Sequence, residues 1–374
     1  DHGYIRQVDQ DESVAALSGA LTRIHHLQPF DPGYFNLPTN TRQSKLFSYS
    51  AENYEAAKAL QQERKKINTA FSTTLPAPPE ELKQIELNEL VRFFSHPARY
   101  LLVKIIGIAP IEESQTMDTS EPFTLKGLAR YKLEHDILEN LLRGHDCGKL
   151  YRVKKASGEL PHGKVGEIFF MQLVSDLQSF HKRLSGLLSG QELKQQQVTL
   201  KIRDYSITGR LDNVSANGLV QYRYATMKPK DVIRSWISHL VLNSQANTAA
   251  PENGTSTFYA GKDGMYEYGP AAESILHLEQ LLDLYWQGIT EPLYFFPRSS
   301  FVFAQEIHKG KQEQEALRKA IVEWEGNDFN KKGEKNDPYN LLCCKNMVLS
   351  NPLFMEQAQK VFLPAFAHQK KFSG

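Results

Sequence analysis

Asp212 closes the run Ile207-Thr208-Gly209-Arg210-Leu211-Asp212, and the next alternating run, Leu219-Val220-Gln221-Tyr222-Arg223, carries Gln221 and Arg223. Side chains two apart on a strand share a face, so Gln221 and Arg223 point the same way. An acid on one strand beside polar residues on the next is where a metal-binding pair of carboxylates could form. Metal-assisted hydrolysis needs carboxylates that converge to hold Mg²⁺, which then activates water. Here one carboxylate is accompanied by a neutral amide and a guanidinium, too little negative charge for a hard dication. A plainer reading makes Asp212 a polar residue ending a strand before a turn, and Gln221 and Arg223 the polar face of a sheet. Both readings predict no catalysis.

Lys201, Arg203, Arg210, Arg223, Lys228 and Lys230 cluster around the same strands, and a second basic stretch runs from Arg143 to Lys164. Such cations contact phosphates and release counterions, or lie as solvated charges on exposed strands and loops. Exposed Tyr205, Tyr222 and Tyr224 could stack on unpaired bases, but tyrosines in a sheet are more often packing residues. The whole chain carries 44 basic and 43 acidic residues, a net charge of +1, so any nucleic-acid contact must be local. His145-Asp146-Cys147 lacks a second base or an oxyanion motif, and His25-His26 reads as a surface dipeptide. There is no GxxxxGK[ST] loop, so the chain is not a motor. Cys147, Cys343 and Cys344 form no CxxC pair, which fits a reducing compartment and argues against structural zinc. No apolar run approaches the roughly 20 residues that span a bilayer. The chain opens on Asp1-His2-Gly3-Tyr4, with neither a methionine nor a signal-peptide pattern, and is read as a piece of a longer protein.

The elements that must position these residues follow from periodicity. Residues 1–82 hold one helix (Val14, Leu17, Leu21, Ile24), a proline-broken segment around Pro29 and Pro32, a polar helix over Glu52–Lys66 and the linker Leu75-Pro76-Ala77-Pro78-Pro79. They read as a connector. The main domain, 83–374, opens on a helix with Leu87, Leu90, Val91 and Phe94 on one face. Another helix follows, with Leu101, Ile105 and Ile108 buried, then Glu121-Pro122-Phe123 and a helix over Leu128–Leu142. A long helix repeats Phe169, Leu173, Leu177, Phe180, Leu184 and Leu187. A three-stranded meander over residues 198–223 comes next, turning at Arg203-Asp204 and Ala216-Asn217-Gly218. A helix with Ile233, Trp236, Ile237 and Leu240 precedes a hairpin over Phe258–Tyr268. After it come a helix with Ile275, Leu278, Leu282 and Tyr285, a strand Leu293-Tyr294-Phe295-Phe296, and a mostly helical remainder.

Strand, turn, strand, helix over residues 207–240 resembles the core of the RecB-type nucleases of the restriction-endonuclease-like superfamily. Those enzymes carry G-x-[IL]-D on one strand and D-[YF]-K on the next. Against that template Asp212 is kept, Gln221 replaces the second acid and Arg223 the lysine. The template's upstream histidine follows a glycine by four residues on a long helix; after Gly166 that position holds Phe170. The wider pattern resembles the RecC family, the exodeoxyribonuclease V gamma subunits. The blocks that carry it are residues 90–101 (around Phe94-Ser95-His96-Pro97), 121–131, 158–169 (Gly158-Glu159-Leu160-Pro161-His162-Gly163), Trp236-Ile-Ser-His-Leu-Val241, Leu27-Gln-Pro-Phe-Asp-Pro32 and Phe362-Leu-Pro-Ala-Phe366. They stand in family order over residues 25–366.

The resemblance implies an α/β fold with a central mixed sheet flanked by helices, a PD-(D/E)XK core that has lost catalysis. It implies a cytoplasmic domain of a helicase–nuclease that repairs double-strand breaks by homologous recombination. RecB-like and RecD-like subunits and duplex or forked DNA would be its partners. ATP and Mg²⁺ would be used by the partner subunits, with no cofactor in this domain. Lys201, Arg203, Arg210, Lys228 and Lys230 are the expected DNA contacts. Two alternatives stay open. One is an active Mg²⁺-dependent nuclease completed by Asp204 or Glu192; the other is a pure protein-interaction module.

Overall fold

The computed structural model describes residues 25–35, 46–61, 75–108, 125, 127–188, 192–246, 254–327 and 331–372. The expected helix through Val14–Ile24, residues 62–66 of the polar helix and the Glu121-Pro122-Phe123 segment lie outside them. The chain divides into two compact units, Asp1–Asn68 and Thr69–Gly374. In the first, Asp31 caps a short 3-10 turn, Pro32–Tyr34, by accepting the Gly33 N–H at 2.8 Å, and helix α1 spans Ala51–Gln61.

The second unit is an α/β domain with a mixed sheet. Its strands are β1 (Gln84–Glu86), β2 (Lys194–Ile202), β3 (Tyr205–Ser215), β4 (Gly218–Tyr222), β5 (Ser256–Gly261) and β6 (Gly264–Tyr268). Two two-residue strands, β7 (Gly326–Asn327) and β8 (Lys331–Lys332), pair apart from it, and β9 (Gln369–Phe372) closes its far edge. The order is β1-β3-β4-β5-β6-β9, with β2 also paired to β3. β1 runs parallel to β3 and β4 parallel to β5, while the remaining neighbours in this sheet are antiparallel.

Alternation explains the meander: Val198, Leu200 and Ile202 of β2 and Tyr205, Ile207 and Leu211 of β3 face the core, with polar residues between them. The alternation breaks at Asp212-Asn213. Asn213 takes a left-handed φ of 61°, and two residues of β3, Asp212 and Asn213, oppose one of β2, Gln195, there. This bulge lets Leu211 and Val214 both stay buried while Asp212 turns outward.

Helices cover both faces of the sheet's β4–β6 half. On one side pack α2 (Leu87–Ser95), α6 (Pro229–Ala246), α7 (Ser274–Gly288) and part of α11 (Pro352–His368), around Phe93, Trp236, Tyr268 and Tyr285. On the other lie α3 (Gly127–Leu142), α4 (Cys147–Ala156) and α5 (Gly163–Leu188), around Ile137, Phe170, Leu177 and Phe180. A third core joins α8 (Pro297–His308), α9 (Glu313–Glu325), α10 (Pro338–Cys344) and α11 through Phe303, Trp324 and Phe354. Burying each such side chain contributes about 1.5–3 kcal/mol, so these cores carry the fold. No helix among the described residues is long and apolar enough to cross a membrane.

Four expectations need correction. Leu293-Tyr294-Phe295-Phe296 pairs with no strand; it is an irregular segment between Pro292 and Pro297 whose apolar side chains fill cores. Ile108 is exposed because Leu101–Ile106 winds as a π-helix ended by Gly107 at φ 80°, so α-helical spacing does not project past it. On α5 the buried residue is Phe170, with Phe169 only half-buried, and on α7 Ile275 points outward.

Candidate functional site

β2 occupies one edge of β3. β1 pairs with Ser206–Thr208 and β4 with Val214–Ser215 on the opposite edge, leaving Gly209–Asn213 between them without a strand partner. A polar cleft of about 480 Å³ opens at this gap, walled by β3, β4, α2, α3 and α6. Gly209 is required for the wall to close. Its φ is 150°, and a Cβ there would sit 3.0 Å from that of Leu87 at the start of α2.

The cleft brings Asp212, Gln221 and Arg223 together. Asp212 is half-exposed, with Arg210 Nε 3.3 Å from its carboxylate. The Gln221 carbonyl oxygen accepts from Ser235 Oγ on α6 at 2.8 Å. Arg223 forms an ion pair with Asp231 and donates to the Thr226 carbonyl at 3.3 Å. The same Asp231 carboxylate accepts the Lys228 N–H at 2.8 Å, so it caps α6 while holding the guanidinium. Burial works against the Arg223 charge, but Asp231 and Tyr259 outweigh it and hold its pKa above the usual arginine value. Both residues at the expected metal-chemistry positions are thus tied to the first turns of α6. Phe170 lies apart: it is 1% exposed, 5.3 Å from the Tyr151 ring, in the core beneath α5 rather than in the cleft.

Of the expected DNA contacts, Arg210 and Lys230 line the cleft, and Lys228 is exposed in the turn before α6. Lys201 and Arg203 sit at the distant β2–β3 turn. Arg203 there donates to Glu279 at 2.9 Å and to Asp283 at 3.1 Å. The tyrosines are not exposed. Tyr205 packs in the core beside Trp286, and Tyr224 lies half-buried against Phe180. Tyr222 donates to Glu139 at 3.2 Å, and burial together with that carboxylate pushes its hydroxyl up to about 12. Amphipathic sheet residues hide their rings where a helix covers that face, as α5 does for Tyr222 and Tyr224 and α7 for Tyr205. Asp204 pairs with Lys83, and Glu192 with Lys194 at 3.2 Å; neither lines the cleft. Among the described residues no group of three or more His, Cys, Asp or Glu side chains is placed to hold a metal ion. Cys343 and Cys344 are buried free thiols pushed up by burial, Cys343 to about 12, which leaves them poor nucleophiles.

Several cleft residues escaped sequence reasoning. Tyr131, His135 and Glu139 line it from α3 at steps of four, a spacing that marks one helix face but not which neighbour it meets. Arg234 and Tyr259 complete the wall from α6 and β5.

Residues 82–308, more than half of the chain, match the family model described as the RecC C-terminal domain. The RecBCD enzyme subunit RecC of Escherichia coli K12 is 30% identical over 369 residues, covering 95% of this chain and 31% of that protein. The protein of the same name from Mycobacterium tuberculosis H37Rv is 24% identical over 332 residues, 86% of this chain and 29% of its own. That from Buchnera aphidicola of Acyrthosiphon pisum is 23% identical over 296 residues, 75% of this chain and 26% of its own. The chain spans about a third or less of the length of these relatives. The chain belongs to the RecC C-terminal domain family.

Proposed function

We propose that this chain is a non-catalytic, DNA-contacting domain of a RecC-type subunit, built on a restriction-endonuclease-like core whose active site has been dismantled. The observation that carries this reading is the state of the cleft. Asp212 stands there with Arg210, while Gln221 and Arg223 are held by Ser235 and Asp231. A neutral amide and a neutralised guanidinium supply neither a second metal ligand nor a cation free to position water. Residues 83–374 would form the nuclease-fold domain and 1–82 a connector from a preceding helicase-like region; the family match beginning at residue 82 supports that boundary.

The relatives' name, RecBCD enzyme subunit, supports an assembly with RecB-like and RecD-like subunits, which would work in the cytoplasm. There the domain would contact duplex and forked DNA, aid strand separation and scaffold its partners in recombinational repair of double-strand breaks. ATP and Mg²⁺ would serve the partner subunits. Val165, Ile168 and Met171, each more than half exposed on α5, support the subunit-contact half of this reading. Digestion of plasmid and short oligonucleotides with Mg²⁺ or Mn²⁺ tests it, alongside binding to forked and blunt DNA at two salt concentrations. We expect no cleavage and salt-sensitive binding. Cleavage abolished by Asp212→Ala would overturn the non-catalytic reading, and loss of all DNA binding would leave a protein-interaction module.

A further inference from the structure

We propose that the dismantled cleft is a metal-independent phosphate site that holds one backbone phosphodiester of a nucleic-acid strand on Tyr259, Arg223, Lys230 and Arg234. This rests on the DNA-contacting reading above and assigns that contact to one place.

Tyr259 is 4% exposed and lines the cleft, where its hydroxyl lies beside the Arg223 guanidinium but its O–H proton finds no acceptor. Arg223, on the same wall, uses one terminal nitrogen on Asp231 and Thr226, and its buried Nε has no better partner than that neighbouring hydroxyl. A buried hydroxyl whose proton is unmet costs about 1–3 kcal/mol, so this wall is suited to an acceptor arriving from outside.

Charge in the cleft points to an anion. Its acids are answered from within the protein: Asp212 by Arg210, Asp231 by Arg223, and Glu139 by Arg143 at 3.7 Å. Lys230 and Arg234 remain, both exposed at the cleft and without a carboxylate partner among the described residues. With the Gln221 oxygen turned to Ser235, that amide keeps its N–H donors to offer. Two uncompensated cations beside unmet N–H and O–H donors suit a group that is all acceptor and negatively charged. A phosphodiester is such a group, and about 480 Å³ accommodates a nucleotide-sized portion of a strand. In this arrangement Asp212 repels the ligand, because no dication stands between them.

That sign separates the proposal from a residual metal site. The full chain is titrated, in EDTA, with inorganic phosphate, with the dinucleotide pTpT, and with a fluorescent forked duplex. We expect pTpT to bind and to compete with the fork, and inorganic phosphate to bind more weakly. Tyr259→Phe should weaken pTpT by about fivefold, the worth of one hydrogen bond. The double variant Lys230→Gln/Arg234→Gln should weaken fork binding about tenfold or more and reduce the log–log salt slope by about two. Asp212→Asn should tighten pTpT by a few-fold. Loss of affinity on Asp212→Asn, or a requirement for Mg²⁺, would overturn the proposal in favour of a metal site. Fork binding that pTpT does not touch, with an unchanged salt slope in the double variant, would sink it while leaving DNA contact standing elsewhere. If pTpT and phosphate bind equally well, the site takes free anions and the strand assignment falls. Absence of fork binding in the parent chain would remove the DNA-contacting reading, and absence of pTpT binding would remove this one.

Discussion

α6 serves two polar environments that differ in everything except their shared helix. Over its first turns, Lys230, Asp231, Arg234 and Ser238 face the open cleft, where polar groups are paired loosely and two cations are left over. In its middle, His239 and Asn243 are almost fully buried. There His239 Nδ1 meets Thr257 Oγ1 at 3.0 Å. Asn243 donates to the His239 and Thr255 carbonyls and accepts the Ala271 N–H at 3.0 Å. The Trp236 ring stacks on His239 with centroids 5.6 Å apart, and His368 and His277 crowd its remaining sides. The most recognisable block of the family pattern, Trp236 to Val241, therefore locks the helix to the sheet. The cations left over in the cleft, Lys230 and Arg234, precede that block and form no motif, although Ser238 within it also lines the cleft wall. The family pattern and the spare charge sit largely on different parts of one helix.

The sharpest way to break this contrast is to hollow out the buried end. Trp236→Ala should destabilise the fold by roughly 3–5 kcal/mol, the range for removing a large buried ring. Urea denaturation would measure it, and a loss under 1 kcal/mol would mean the block is not structural.

Acid should act on the same region next. Burial first, and the neighbouring His368 second, hold His239 down to about 4 against an ordinary value of 6.5. Above pH 6.5 it is neutral in both folded and unfolded chains. Between 6.5 and 4 only the unfolded chain takes the proton, so stability must fall with falling pH and level off near 4. The loss from this group is roughly 3 kcal/mol over the window, from about 1.4 kcal/mol per pKa unit. His277 is lowered too, again chiefly by burial, and adds in the same direction. Denaturation curves at pH 7.5, 5.5 and 4.5 should show the decline, and His239→Gln should flatten its steepest part.

The cleft end should respond more weakly. Arg223→Ala removes the partner of Asp231, which is 7% exposed, and leaves a carboxylate still capping α6 through the Lys228 N–H. Because that cap and the open cleft keep the acid partly solvated, a loss of about 2–3 kcal/mol is expected, below the 3–5 of a fully buried pair. Asp231→Asn in the same background should recover part of it, and no recovery would show that the charge was not the problem.

What could be read in the chain follows the same division. Helices α2 and α6, the β2–β3–β4 meander and the β5–β6 hairpin announce themselves, because burial on one face imposes a period of 3.6 or 2. β1 and β9 do not: Gln84–Glu86 and Gln369–Phe372 are short edge strands, and their mostly polar, exposed residues, which keep an open edge from pairing with another chain, leave no clear hydrophobic period. Leu293–Phe296 misleads in the opposite sense, since β-like residues between two prolines fill cores without pairing. At the site, Asp212, Gln221 and Arg223 could be placed together because adjacent strands bring them together. His135, Glu139 and Tyr259 could not, because α3 and β5 reach the cleft only through tertiary packing.

The smallest effect is expected at Arg203, and it tests whether sequence clustering or spatial pairing decides a DNA contact. In the chain Arg203 belongs to the same basic cluster as Lys230. In space it sits at a turn with φ 53° and is shared between Glu279 and Asp283 of α7. A guanidinium already facing two carboxylates releases few counterions when a phosphate approaches, since it must first give up its partners. Arg203→Gln should therefore change fork affinity by less than about twofold and leave the salt slope unaltered within error. Lys230→Gln, measured beside it by fluorescence anisotropy at two salt concentrations, should lower the slope by about one. Equal losses from the two variants would mean that α7 yields Arg203 to DNA, and that the contact surface extends from the cleft to the β2–β3 turn.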